Sequence, residues 1–456
     1  MRLPSFLYSA TVCILAGHFA SAAIELNLDD EGSIKKAAGR AAWDMMQYYT
    51  GNETGDVPGN LPDPYYWWEC GAMFGSLINY WYYTGDTSYN DNVREGLIHQ
   101  AGEDFDFMPI NQSKTLGNDD QGFWGMAAMT AAETGFTDPP APTPGWLALV
   151  QAVFNGQKTR WDPSSCGGGL RWQIFPFNTG YNYKNSISNG CFFNLASRLA
   201  LYTGNETYAE EASKVWEWMW NVNYIKHDTY SIIDGAHNTD NCTEMDANTW
   251  TYNSGVMLMG AAAMYNHTNG SAIWKERVDG LIGAGKKFFI DDIMYEGCEP
   301  INKCNVDQRS FKAYYARWLA ATAELVPHTH DNIIKELRTS ATAAVGTCTS
   351  GETGTACGLR WTEGPVNDGS LGVGEQMAVM EIVQSNLVDS APGWRSAVAG
   401  TGTSQGDVNA GAGLTDDEHL PNMSRVTTAD RVGAGILTAL VLTGVLGGSY
   451  SMLASN

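Results

Sequence analysis

The chain is 456 residues long, 44% hydrophobic, and carries 27 basic against 50 acidic residues, a net charge of −23. That length and apolar content allow a large core held as one unit. The acidic excess argues against a nucleic-acid partner, whose phosphates are bound by Lys and Arg, and favours a neutral ligand.

Residues 1–22 read as a secretory signal peptide: Arg2, an apolar run over 6–19, then Ala20, Ser21 and Ala22. The mature chain is then extracytoplasmic, where cysteines oxidise. Losing Cys13 leaves eight of them. Cys298 with Cys304, and Cys348 with Cys357, are spaced to close short loops, whereas Cys70, Cys166, Cys191 and Cys242 stay unassigned, some of them free and buried. Asn52, Asn111, Asn205, Asn241, Asn266, Asn269 and Asn422 each head a glycosylation triplet.

From residue 23 to 400 two kinds of helix-length segment alternate. Segments 70–83, 122–134, 190–203, 255–265, 311–325 and 375–387 are apolar on nearly every side and must be buried all round. Segments 33–49, 89–103, 145–157, 208–221, 273–289 and 331–345 carry charge on one face only. Two junctions, Tyr83-Thr84-Gly85-Asp86-Thr87-Ser88-Tyr89 and Tyr202-Thr203-Gly204-Asn205-Glu206-Thr207-Tyr208, end one helix on a Gly and cap the next. The alternation predicts an all-α fold, an (α/α)6 barrel of six inner and six outer helices over residues 23–400. Residues 401–431 turn to Gly, Thr, Asp and Asn and read as a disordered stalk. Residues 432–456 read as a hydrophobic GPI signal tail, with Asn409-Ala410-Gly411 or Gly411-Ala412-Gly413 as the attachment site and a membrane-spanning tail as the alternative.

In such a barrel the loops entering the inner helices open at one mouth, and the stretch Leu116-Gly117-Asn118-Asp119-Asp120-Gln121-Gly122 dominates it. Two carboxyl groups about 5 to 5.5 Å apart suit glycoside cleavage with retention. Where the backbone has not yet become helical, Asp119 and Asp120 are expected to converge, and their repulsion to raise the proton affinity of one. The plain alternative is an N-cap with a first-turn carboxylate favoured by the helix dipole. Aromatic-rich sister loops favour chemistry on a sugar, whose C–H faces stack on rings and whose hydroxyls need partners. Those loops supply Trp67 and Trp68; Arg171 and Trp172, brought to the mouth by the turn Gly167-Gly168-Gly169; Asn185 and Asn189; Asp246, Trp250 and Asn253; and Gln308 with Lys312. No paired CxxC motifs or clustered histidines point to a metal, and no cofactor is expected.

Taken together, Gly117-Asn118-Asp119-Asp120-Gln121, Gly168-Gly169-Leu170-Arg171-Trp172, Tyr183-Lys184-Asn185 with Asn189, Thr251-Tyr252-Asn253 and Phe311-Lys312 resemble glycoside hydrolase family 76. Within it the chain is similar to the fungal GPI-anchored mannan endo-1,6-α-mannosidases of cell-wall assembly, over residues 23–399. The resemblance implies an (α/α)6 barrel and an α-1,6-mannoside substrate, mannan or a GPI-core glycan. It implies double displacement with Asp119 as nucleophile and Asp120 as general acid/base, and subsites at Trp67, Trp68, Trp172, Asp246, Trp250 and Gln308. For the fungal branch it also implies transfer of a GPI-bound protein to wall glucan, at the outer face of the plasma membrane or in the wall. A catalytically silent wall lectin or adhesin is the reading from another class, and binding alone needs no adjacent carboxylates.

Overall fold

The computed structural model describes residues 24–416 and 428–454; the signal peptide expected at 1–22 lies outside the described residues. Helices alternate between an outer and an inner ring along the chain. The pairs, outer member first, are α1 (Glu31–Met46) and α2 (Trp67–Thr84), α3 (Asn90–Gln100) and α4 (Asn118–Thr134), α5 (Trp146–Thr159) and α6 (Ser186–Thr203). They continue with α7 (Glu206–Asn221) and α8 (Thr251–His267), α9 (Ala272–Gly285) and α10 (Phe311–Leu325), α11 (His330–Gly346) and α12 (Val373–Gln384). Each inner helix packs on the next and α12 closes back on α2, while α3, α5, α7, α9 and α11 back α2, α4, α6, α8 and α10, and α1 backs α12. This is the (α/α)6 barrel the sequence pattern predicts.

Burial follows the two apolar patterns. In α7 only one stripe is covered, including Tyr208, Ala212, Val215 and Met219, spaced three to four residues apart. In α6 nearly every side chain from Ser186 to Tyr202 is buried. The two junctions singled out in the sequence end α2 and α6 on Gly85 (φ 77°) and Gly204 (φ 71°), left-handed caps that turn the chain back. Two buried ion pairs join inner helices to one another. Arg198 of α6 meets Glu133 of α4 at 2.5 Å, and Arg317 of α10 meets Glu381 of α12 at 2.8 Å, with all four side chains buried.

Short strands trim the mouth. β1 (Tyr183–Asn185), β2 (Gly235–His237) and β3 (Met245–Asp246) form an antiparallel sheet in that order, with Asn185 opposite Gly235 and Gly235 opposite Asp246. β4 (Phe289–Ile290) and β5 (Ile293–Met294) make a separate hairpin. Disulfides join Cys298 to Cys304 and Cys348 to Cys357, and a third joins Cys166 to Cys242, tying the loop before α6 to the turn after β2. Cys70 and Cys191 are free and buried.

The stalk assigned to 401–431 differs in its first half. Residues 401–416 lie as a strap along α5: the Leu147 N–H donates to Ser404, the Ala148 N–H to the Gln405 carbonyl, and Asn155 Nδ2 to the Val408 and Ala410 carbonyls. A methyl group on Gly406 would lie 2.8 Å from Gln151 Oε1, and one on Gly411 3.1 Å from the Ala152 Cα. The glycines that suggested a linker therefore permit close packing, and both candidate attachment triplets fall within the strap. Further on, α13 (Thr428–Ala454) exposes Ile436, Leu437, Leu440 and Val441. Among the described residues no helix is both long and apolar enough to cross a membrane.

Breaking a buried ion pair strands a charge, so Glu381→Ala is expected to cost about 3 to 5 kcal/mol. The double variant Arg317→Met/Glu381→Leu should recover most of that loss. Equilibrium urea unfolding measures both, and a single variant within about 1 kcal/mol of the parent would remove the pair from the stability account.

Candidate active site

The first turn of α4 carries the two carboxylates. Gly117 is its N-cap with extended backbone (φ −98°, ψ 160°), and the Asp120 carboxylate reaches back to accept the Gly117 N–H at 2.7 Å. The Asp120 N–H in turn donates to Asp119 Oδ1 at 3.1 Å. Asp119 and Asp120 were expected ahead of the regular helix, but both are helical. They converge because first-turn side chains lean towards the helix N-terminus, here over a residue with no side chain. A methyl group on Gly117 would sit 2.3 Å from Asp119 Oδ1 and 3.1 Å from Asp120 Oδ2. Two atoms that close to one point are separated by no more than about 5.4 Å, so the pair is no farther apart than the carboxyl groups of retaining glycosidases.

Neighbouring loops hold this turn in place. The Asn118 N–H donates to the Trp172 carbonyl at 2.8 Å, and Asn118 Nδ2 to the Arg171 carbonyl at 2.9 Å. Gln157 Nε2 donates to the Asn118 carbonyl at 2.7 Å, and Gln121 Nε2 to the Asp106 carbonyl at 2.8 Å.

Both acids border an inner cavity of about 200 Å³, lined also by Tyr183, Asn185, Asp234, Tyr252 and Phe311. An outer arm of about 400 Å³ continues past Tyr66, Trp67, Lys114, Gln173 and Thr179. Trp68, Asp120, Trp172 and Asp307 line both spaces, whereas Asp119 faces only the inner one. Aromatic faces recur along the path, with Trp67 stacked on Trp124 at 5.0 Å and Tyr252 on Phe311 at 3.7 Å.

Burial is the main force on the acids. Desolvation, then repulsion from Asp120, holds the Asp119 carboxyl well above its ordinary range, against the pull of backbone N–H groups and the Trp172 indole. Desolvation pushes Asp120 up to about 7, opposed by the Gly117 N–H and reinforced by Asp307. Asp307 is itself raised by burial, and accepts the Trp68 indole N–H at 3.2 Å. Asp234, raised by burial too, accepts the Tyr183 hydroxyl at 2.8 Å. The pair thus retains a proton far above the pH at which an exposed aspartate loses it.

Of the residues singled out in the sequence, Asp119, Asp120, Trp68, Trp172 and Asn185 line the inner cavity and Trp67 the outer arm. Seven others are placed elsewhere. Arg171 turns away to Asp162 at 2.6 Å and to the Tyr181 ring. Asn189 is buried, exchanging hydrogen bonds with the backbone of Leu170. Asp246 is exposed on β3 and accepts the Asn248 N–H. Trp250 is the N-cap of α8 and packs edge-on to Phe311, and Asn253 is fully buried a turn below. Gln308 closes its own loop through Asn305, and Lys312 is buried against Glu299 at 2.9 Å, over the Trp361 ring. Conversely, Asp234, Asp307, Tyr183, Tyr252, Phe123 and Phe311 line the cavity without having been chosen as site residues. Asp234 stands where Asp246 was expected, because the β2–β3 pairing sets Asp246 one strand farther out.

Comparison with known proteins agrees with this geometry. Residues 33–398 match the family model described as glycosyl hydrolase family 76. The chain is 48% identical over 421 residues to mannan endo-1,6-alpha-mannosidase DCW1 of Saccharomyces cerevisiae, covering 92% of this chain and 93% of that one. It is 43% identical to mannan endo-1,6-alpha-mannosidase DFG5 of the same yeast, over 95% of this chain and 95% of that one. Among solved structures, Dfg5 from Chaetomium thermophilum in complex with glucosamine superposes with a TM-score of 0.82 at 45% identity, covering 85% of this chain and 97% of that one. An inactive variant of an alpha-1,6-mannanase from Salegentibacter sp. HEL1_6, two consecutive aspartates replaced by asparagine, shares the fold at 17% identity and a TM-score of 0.61, over 79% of this chain and 99% of that one. The chain therefore belongs to glycosyl hydrolase family 76.

Proposed function

We propose that this protein is a retaining endo-acting α-1,6-mannosidase in which Asp119 is the nucleophile and Asp120 the general acid and base. The observation that carries the reading is the convergence of both carboxylates over Gly117. The substrate class is that of relatives 41 to 48% identical, named as mannan endo-1,6-alpha-mannosidases. The two spaces beside the pair divide the work. Asp119 borders only the inner cavity, so the sugar whose anomeric carbon it attacks lies there. Asp120 borders both, so it meets the glycosidic oxygen between the inner sugar and the one in the outer arm.

In the first step Asp119 attacks the anomeric carbon as Asp120 protonates the departing oxygen. In the second, Asp120 takes a proton from the incoming hydroxyl as that oxygen displaces Asp119. Burial and mutual repulsion keep a proton on the pair; attack requires Asp119 to be its ionised member, and Asp120 keeps one carboxylate oxygen free of the Gly117 N–H to carry that proton. An incoming sugar hydroxyl meets the same base from the outer arm as the leaving sugar did. This supports transfer from a mannan or GPI-core donor to a wall glucan alongside hydrolysis. Three disulfides fit an extracytoplasmic chain, and the C-terminal helix, with Ile436, Leu437, Leu440 and Val441 exposed, fits a tail exchanged for a GPI anchor.

Asp119→Asn and Asp120→Asn should each lower kcat/KM on α-1,6-mannan oligosaccharides by roughly 10²- to 10⁴-fold, and full activity in either variant rejects the roles. The burial of Asp120 also makes stability and activity depend on pH. With Asp120 held near 7 against an ordinary 3.8, the unfolded chain loses this proton first as pH rises, so stability falls between those values. Thermal unfolding at pH 7 to 8 should therefore show Asp120→Asn more stable than the parent, and the activity of the parent should decline as pH rises through about 7.

Gly117→Ala is expected to lower kcat/KM by about 10²-fold, because its methyl group displaces the pair; an unimpaired enzyme would show that the close approach is dispensable. Proton NMR of the first product formed should show the α-anomer, and a β-anomer excludes the double displacement. With a glucan acceptor present, mass spectrometry distinguishes a mixed mannosyl-glucan product from free reducing ends alone.

A further inference from the structure

The strap along α5 reaches, at Asp416, an arginine that supports the active site. Its contacts descend the helix about one turn at a time: Leu147 and Ala148, then Gln151, whose Oε1 accepts the Asp407 N–H at 2.6 Å, then Asn155, and last Arg160 just past the helix end. There Arg160 Nε donates to Asp416 Oδ1 at 2.7 Å. The Arg160 side chain is only 8% exposed, and another of its nitrogens donates to Asn118 Oδ1 at 3.0 Å and to Gln121 Oε1 at 2.7 Å. Asn118 and Gln121 flank Asp119 and Asp120 in sequence, and both are buried. One guanidinium thus joins the C-terminal segment to the turn that carries the carboxylates. Across the adjoining polar cavity Asp162 is already engaged by Arg171 and Lys184.

We propose that Asp416 is a positioning residue of the active site, acting through Arg160 to hold the first turn of α4 in register with the Trp172 loop. The physical reason is the cost of a nearly buried cation. Paired with Asp416, the guanidinium can direct its remaining N–H groups to the neutral oxygens of Asn118 and Gln121. Without that partner it carries an uncompensated charge beside the carboxylate pair, and its best relief is to shift towards water or towards the acids. The strap thereby makes catalysis depend on the chain being intact to residue 416. A chain cut at the triplets between 409 and 413, where an anchor was expected, loses Asp416 and becomes the less active form. This inference rests on the proposed roles of Asp119 and Asp120 for its kinetic consequence, not for its structural one.

The test compares Asp416→Asn, Asp416→Glu and a chain ending at Thr415 with the parent. Hydrogen exchange followed by mass spectrometry should show faster exchange in a peptide spanning 116–125 for Asp416→Asn and for the shortened chain, with α8 unchanged. On α-1,6-mannan oligosaccharides kcat should fall about 10- to 100-fold with KM little altered. The alkaline limb should move to lower pH, because the uncompensated cation favours ionised Asp120. Asp416→Glu should restore both. Asn155→Ala, which loosens the strap without touching Arg160, should leave the limb in place. Unchanged exchange over 116–125 overturns the proposal whatever the substrate proves to be. So does a loss of rate that follows thermal stability alone with no movement of the limb. A parent inactive on these oligosaccharides defeats the substrate assignment instead and leaves the exchange result to decide.

Discussion

Everything at the mouth of the barrel depends on two like charges being held over one glycine in a poorly solvated place. Left to themselves, adjacent carboxylates on a helix diverge by about 100° and stay ionised in water. Here three constraints act against that. The first turn of α4 points both side chains back along the axis, Gly117 leaves the space they enter, and the surrounding rings remove the water that would screen them. The resulting proton affinity is a consequence of location, and it is what turns a pair of ordinary side chains into an acid beside a base.

Such an arrangement works against folding, and the surrounding polar scaffold offsets it. Arg160, Asn118, Gln157 and Gln121 form a clasp on one side of the α4 entrance, and the backbone of Arg171 and Trp172 closes the other. The Cys166–Cys242 disulfide and the three-stranded sheet fix the next entrance, where Asp234 and Asn185 face the cavity. Deeper in the ring the Arg198–Glu133 and Arg317–Glu381 pairs set neighbouring helices at defined heights. A ring of helices that were apolar all round would tolerate sliding. Buried, directional partners give each helix one register, which a site needing sub-ångström placement requires.

The barrel was legible in the sequence because the two helix types bury differently. All-round apolar segments have one place to go, and one-sided segments must back them, so ring membership followed from composition alone. The carboxylate pair was legible too, though for partly the wrong geometric reason, since Asp119 and Asp120 converge inside the helix. Polar residues at the mouth were the harder case. Arg171, Asn189, Gln308 and Lys312 have the chemistry of sugar ligands but spend it on internal partners. A sequence states which atoms can donate or accept; it does not state which of them the backbone has already claimed. Asp234 escaped notice for a related reason. It enters from the residue just before β2, and no helix pattern points to it.

The C-terminal segment shows the same ambiguity in a sharper form. Glycine-rich composition lowers the cost of disorder and equally removes the side chains that keep two backbones apart. What separates the two outcomes is whether a complementary surface lies within reach. On α5, Leu147, Gln151 and Asn155 present acceptors, donors and a shallow face at successive turns, and Gly406 and Gly411 let the strap sit on it. None of those α5 residues is unusual by itself, since an outer helix is expected to show a polar face to solvent. Their spacing becomes informative only beside the segment it receives, some 250 residues later in the chain. Long-range pairing of two individually unremarkable stretches is therefore the kind of structure that periodicity within either stretch does not encode, and it is how Asp416 comes to be joined, through Arg160, to the helix that carries the acids.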